Sequence, residues 1–249
     1  MAAEIILSAG SGVGVIRIDR PAKKNAITTA MYGAMADALE TFDGNDEVRV
    51  VTIGGGADFT AGNDLQDFMD ASTSGDPSKV VAVIRFLERL CDFPKPVVAA
   101  VRGNAVGIGT TMLLHADVVI AGSSARFRLP FVQLGLVPEA GSSLLLPLAI
   151  GRTRAAWLLM AGDFVSAQEA LAIGLVTKVV EDEQVDGTAD SIATRLAELP
   201  PIALRETKRL MREPIYDAVR EQMGAEAGIF TERLNSDEFR AAVTKVLTR

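Results

Sequence analysis

The run Pro96-Val97-Val98-Ala99-Ala100-Val101-Arg102-Gly103-Asn104-Ala105-Val106-Gly107-Ile108-Gly109-Thr110-Thr111-Met112-Leu113-Leu114-His115-Ala116-Asp117-Val118-Val119-Ile120-Ala121 decides the fold. It is the most apolar stretch of the chain, yet Arg102, Asn104, His115 and Asp117 put too many polar groups in it for a helix in lipid. Val97 to Val101 has the length and composition of a buried strand, and Gly103 to Gly109 reads as a turn. Thr110 to His115 follows as a short helix and Asp117 to Ala121 as a second strand. The unit is strand, glycine turn, helix and strand.

The same grammar extends upstream. Gly14-Val15-Ile16-Arg17-Ile18-Asp19 alternates as a strand does, and Pro21 with Asn25 marks a loop. Thr28 is the N-cap expected for a helix with Met31, Met35, Ala38, Leu39 and Phe42 on one face, ended by Gly44-Asn45. Val48 to Ile53 reads as another strand, followed by Gly54-Gly55-Gly56 and the loop Phe59-Thr60-Ala61-Gly62-Asn63-Asp64-Leu65. Downstream of Arg152 the character changes: segments 153–162, 166–173, 188–199, 201–212 and 214–247 read as mostly helical, broken at Pro200-Pro201 and Pro214. This order predicts an α/β layer architecture with function at the turns that lead into helices. A soft boundary near residue 200 separates a core, residues 1–200, from a helical region, residues 201–249, expected to pack on the core or on another subunit.

A length of 249 residues suits one large domain, and 49% hydrophobic residues can fill its core. The net charge of −7 and the scatter of Lys and Arg give no basic stripe for nucleic acid. Cys91 is the only cysteine, which rules out an internal disulfide and a cysteine-based zinc site; it reads as a small buried hydrophobe. His115 is the only histidine, so one chain cannot assemble a Ser-His-Asp triad or a two-histidine metal site; no metal is expected, and His115 and Asp117 read as structural. Met1-Ala2-Ala3-Glu4 lacks the features of a secretory signal and Leu247-Thr248-Arg249 is not a peroxisomal address, so a cytoplasmic location and no membrane association are expected.

Two glycine segments precede helices: Ala61-Gly62-Asn63-Asp64, and Gly107-Ile108-Gly109. Small residues let the chain turn tightly and leave N–H groups unpaired, and a helix N-terminus adds positive potential. Converging on one oxygen, two such turns would form an oxyanion hole; each alone is a common structural device. Their spacing fits neither a dinucleotide fingerprint nor a P-loop. Further on, Glu139 stands alone in Pro130-Phe131-Val132-Gln133-Leu134-Gly135-Leu136-Val137-Pro138-Glu139-Ala140-Gly141-Ser142-Ser143. After Pro138 it reads either as a first-turn helix residue or as a general base; a solitary base suits moving a proton between two carbons.

Four ordered motifs carry a resemblance along most of the chain: Arg20-Pro21 to Asn25-Ala26; Phe59-x-Ala61-Gly62-Asn63-Asp64-Leu65; Ala100-Val101-x-Gly103-x-Ala105-Val106-Gly107-Ile108-Gly109; and Phe131 to Ser143. The chain resembles the crotonase superfamily of acyl-CoA enzymes and looks most like its 3,2-enoyl-CoA isomerase branch. The resemblance implies a crotonase-like spiral of repeated β-β-α units with a C-terminal helical trimerisation region, hence a homotrimer or a hexamer of two trimers. It implies an acyl-CoA substrate and no separate cofactor, coenzyme A being part of the substrate. By position it implies that the backbone N–H groups of Asn63 and Ile108 form the oxyanion hole. Ala61, Gly62, Asn63, Asp64 and Leu65 would contact the adenine end of coenzyme A, and Lys24 falls where phosphate contacts occur, although it reads equally as a solvated charge.

Members that hydrate a double bond use two glutamates on one water. At the matching positions this chain has Thr111 and Phe131, and neither can be a carboxylate base. Glu139 lies on the Pro-Glu-x-x-Ser-Ser segment that resembles the isomerase branch's catalytic one. The expectation is therefore a 3,2-enoyl-CoA isomerase with Glu139 as its base, its pKa raised by Phe131, Leu134, Leu136 and Val137. The alternatives are an enoyl-CoA hydratase or other crotonase-type reaction, with Asp67, Asp70 and Glu88 as acids to watch, and a non-catalytic acyl-CoA-binding protein. Ser142 and Ser143 read as Glu139 partners or helix caps. Phe68, Phe86, Leu90 and Trp157 read as acyl-pocket candidates or plain core.

Overall fold

The computed structural model describes residues 4–74 and 77–248. Alternation along each strand sorts the core into two layers. Ile16, Ile18, Val51, Ile53, Val97, Ala99, Val101, Val119 and Ala121 point to one side of a six-stranded sheet, while Val13, Val50, Val98, Ala100 and Ile120 point to the other. The strands are β1 (Ile5–Gly10), β2 (Val13–Ile18), β3 (Val50–Gly54), β4 (Val97–Val101), β6 (Val118–Gly122) and β9 (Lys178–Val180), ordered β1-β2-β3-β4-β6-β9. Within this sheet only the β1/β2 pair is antiparallel. A second sheet, order β5-β7-β8, contains β5 (Asn104–Val106), β7 (Arg126–Arg128) and β8 (Val165–Ser166).

Helix α1 (Thr29–Asp43) begins where Thr28 accepts from the Met31 amide and buries Met31, Tyr32, Met35, Leu39 and Phe42. With α2 (Leu65–Ser74) and α3 (Pro77–Asp92) it covers the side that faces the site. The opposite side is closed by α8 (Val185–Ala197), whose Val185, Ala189, Ala193 and Ala197 recur at helical spacing against β2, β3, β4 and β6. Between them lie α4 (Ile108–Thr111), α5 (Ser142–Ile150), α6 (Arg152–Ala161) and α7 (Ala167–Ala172).

The C-terminal region is helical, as expected: α9 (Pro201–Arg212), α10 (Tyr216–Leu234) and α11 (Asp237–Leu247). The segment read as one helix over 214–247 is two, because Ser236 turns out of the helix and caps α11 through its hydroxyl to the Phe239 amide. Hairpin strand β1 is exposed beyond Ile5, so it carries little apolar pattern, whereas the Phe86, Leu87, Leu90 and Cys91 face of α3 recurs at helical spacing. No helix among the described residues is long and apolar enough to cross a membrane.

Candidate active site

Gly62 and Gly109 bring the two glycine turns together. Gly62 has φ +94°, and a Cβ there would sit 2.8 Å from the Val106 carbonyl; one on Gly109 would meet the Thr60 methyl at 2.6 Å. With side chains absent, Thr60 and the second turn join as neighbouring strands do, Thr60 N bonding Asn104 O at 2.8 Å and Val106 N bonding Thr60 O at 3.1 Å. Asn63 and Ile108 follow these contacts directly. Neither of their backbone N–H groups has a protein acceptor among the described loop and turn hydrogen bonds, and Ile108 is the first residue of α4. Asn63 is further held by the fully buried Tyr32 hydroxyl, which donates to its side-chain oxygen.

Glu139 enters from the opposite wall, on a turn whose backbone is left-handed at Ala140 (φ 60°) and Gly141 (φ 70°). The Glu139 side chain is buried, and its carboxylate accepts a hydrogen bond from the Thr111 hydroxyl. Thr111 thus holds Glu139 from α4, two residues past the second glycine turn. Burial pushes the Glu139 carboxyl up to about 8; the Thr111 hydrogen bond opposes the rise and the Glu226 charge adds to it. His115 fastens the same turn. Its Nε2 lies 2.8 Å from the Ala140 carbonyl, which can only accept, so Nε2 carries the proton. The ring is neutral, its pKa driven down to about 4 chiefly by burial.

Glu139 and Asn63 share a cavity of about 170 Å³ otherwise lined mostly by apolar groups, among them Phe68, Val83, Leu87, Met223, Phe230 and Leu234. A wider groove shares Asn63, Phe68 and Phe230 with it and continues past Ala61, Gly62, Leu65, Gly107 and Phe131 to Phe239 and Lys245 of α11. A long ligand could lie with one end in the groove and its apolar end beside Glu139. Phe131 lines this groove.

Several expected residues lie elsewhere. Asp64 spends its carboxylate on Arg20 (2.6 Å) and on the Gln66 and Asp67 amides, capping α2, and lines neither cavity. Lys24 is exposed; its carbonyl fastens the Ala61 amide, and its side chain lines neither cavity. Of the acyl-pocket candidates only Phe68 lines the cavity. Phe86 and Leu90 are core, and Trp157 is 63% exposed on α6, beside Met160 and Phe164. Neither the Ser142 nor the Ser143 hydroxyl bonds the Glu139 carboxyl: the Ser142 amide donates to the Glu139 carbonyl at 3.1 Å while its hydroxyl is buried without a partner among the described residues, and the Ser143 hydroxyl donates to Glu226. Asp67 is engaged by Thr29 and Asp70 by Gln66, whereas Glu88 lines the cavity 3.6 Å from Arg220. The α10 wall, Met223, Gly224, Ala227 and Thr231, escaped the sequence reading; small residues at 224, 227 and 231 on one helix face were its available signal.

The family model described as enoyl-CoA hydratase/isomerase matches residues 8–248. The chain is 35% identical to enoyl-CoA delta isomerase 2 of Homo sapiens over 98% of its own length, and spans 63% of that relative's length. It is 34% identical to 1,2-epoxyphenylacetyl-CoA isomerase of Escherichia coli over 99% of this chain and 96% of the relative. The solved structure of Pseudomonas aeruginosa OdaA superposes with a TM-score of 0.94 at 45% identity, covering 100% of both chains.

Proposed function

The chain belongs to the enoyl-CoA hydratase/isomerase family, and within it we propose a 3,2-enoyl-CoA isomerase acting on unsaturated fatty acyl-CoA. The observation that carries this reading is a single buried carboxyl, Glu139, in an apolar cavity that it shares with Asn63. Thr111 and Phe131 stand where a water-activating pair would be.

Ionised Glu139 removes a proton from the α carbon of a 3-enoyl thioester. Negative charge moves onto the thioester oxygen, where the Asn63 and Ile108 N–H groups meet it; losing one such donor typically costs a hundred- to a thousandfold in rate. Burial favours the neutral carboxyl, so Glu139 keeps the proton while the dienolate exists. It then returns the proton to the γ carbon, giving the conjugated 2-enoyl thioester. One group serves both transfers, the sum is an isomerisation, and no cofactor is consumed.

The other carboxyl that lines the cavity, Glu88, lies 3.6 Å from Arg220, which also reaches Asp92 at 3.5 Å. The test is conjugated-thioester absorbance with two substrates. Signal growth with 3-enoyl-CoA supports the isomerase. Silence there with loss of signal from 2-enoyl-CoA would make the protein a hydratase, and binding without either change would make it an acyl-CoA carrier.

A further inference from the structure

The turn that carries Glu139 is tied to the C-terminal helical region chiefly by Glu226. Glu226, on α10, is 4% exposed and accepts from the Gly141 amide at 2.6 Å, from the Ser143 amide at 2.9 Å and from the Ser143 hydroxyl. Gln222, one turn earlier, donates to the Ser143 hydroxyl at 2.8 Å. Burial pushes the Glu226 carboxyl up and the three donors to it oppose the rise; the side chain serves as a cap for the N-terminus of α5. Gly141 permits the approach, since a Cβ there would sit 3.3 Å from both Val219 and Met223 of α10.

We propose that Glu226 is a positioning residue for the isomerisation: it fixes the left-handed turn at Ala140-Gly141 that aims the Glu139 carboxyl. This rests on Glu139 being the base. Left-handed backbone at a non-glycine residue such as Ala140 is strained and persists only where neighbours enforce it. Here the neighbours are His115, on the Ala140 carbonyl, and Glu226, on the next amide. A catalytic loop 85 residues upstream is thereby made to depend on α10, which also forms the acyl wall. The charged or titratable groups that face Glu139 are Glu226 and Arg220 from α10, Tyr32 from α1, His115 from the turn after α4, and Glu88 from α3. Of these, Glu226 is the one whose charge acts to raise the Glu139 pKa.

The test is the pH profile of 3-enoyl-CoA isomerisation for wild type, Glu226→Gln, Glu226→Leu and Glu139→Gln, with circular dichroism confirming the fold. Glu226→Gln keeps the shape and removes the charge. The rise of kcat/KM with pH is expected to move acidward by about half a unit or more, as it should when a like charge is taken away. Glu226→Leu removes the acceptors as well; kcat should fall about tenfold to a hundredfold from misplacement of the carboxyl, with KM changed far less. If Glu226→Leu does not fold, the Gln profile still decides. A Glu226→Gln enzyme with wild-type kcat and wild-type pH dependence overturns the proposal when Glu139→Gln is inactive. An active Glu139→Gln overturns instead the base assignment, and this proposal with it.

Discussion

At the scale of the residue, Glu139 combines two demands that conflict. Its raised pKa, about 8 against an ordinary 4.5, would match a base for a weakly acidic carbon and an acid able to give the proton back, the role proposed for it. The same shift costs stability. Because the folded state holds this proton more tightly than the unfolded one, the benefit of the neutral carboxyl is full below about 4.5 and is lost as pH rises through about 8. Two outcomes follow from this one group. Wild-type kcat/KM should rise as pH climbs through about 8, since only the ionised form accepts the α proton. Glu139→Gln should abolish isomerisation yet be more stable than wild type above pH 8, by on the order of a few kcal/mol at most, and so melt at higher temperature. A Glu139→Gln melting point that stays below wild type at alkaline pH would contradict the buried-charge account. Glu139 itself was legible in the sequence because a Pro-Glu-x-x-Ser-Ser segment marks it. Its supports were not. Thr111 stood out as the place where an acid was missing, and only the folded chain brings its hydroxyl onto Glu139; Glu226 carries no local signal, because what it does is to reach across to residues 141 and 143.

At the scale of the element, the readable parts are those whose chemistry is local. The β2 strand announces itself by alternation, β3, β4 and β6 by short apolar runs, α1 by its Thr28 cap, and α6, α8 and α9 by helical composition. The two glycine turns were read as turns from composition alone; that they meet is a tertiary fact, set by the bonds between Thr60 and Asn104-Val106. Trp157 shows the opposite failure: an apolar residue at helical spacing looks like lining, and it lies on the surface of α6. Gly62 is where element geometry can be tested. Gly62→Ala must accommodate a Cβ 2.8 Å from a carbonyl oxygen at positive φ, so it should cost about 1–3 kcal/mol in thermal or denaturant unfolding. It should also reduce kcat/KM by about a hundredfold, through displacement of the Asn63 N–H. A variant with normal stability and normal kcat/KM would show that the approach of the two turns is not required.

At the scale of the whole molecule, the crotonase-like α/β arrangement follows from four ordered motifs and is met by the two sheets, the helical cover and the C-terminal helices. The C-terminal region contributes walls to the site: α10 lines the cavity beside Glu139 and α11 the groove. We propose that the protein assembles as a homotrimer or as two such trimers. The exposed Trp157, Met160 and Phe164, at 63%, 70% and 43%, form an apolar surface of the kind that subunits cover. Light scattering should return a trimeric or hexameric mass; a monomer at micromolar concentration would count against it. The central claim is that one buried carboxyl carries a single proton from the α to the γ carbon. It is tested most directly with 3-enoyl-CoA deuterated at the α carbon, by locating the label in the 2-enoyl product. The account predicts deuterium at the γ carbon in a substantial share of product molecules. A γ carbon that carries only solvent hydrogen, from the first turnover onward, would contradict it.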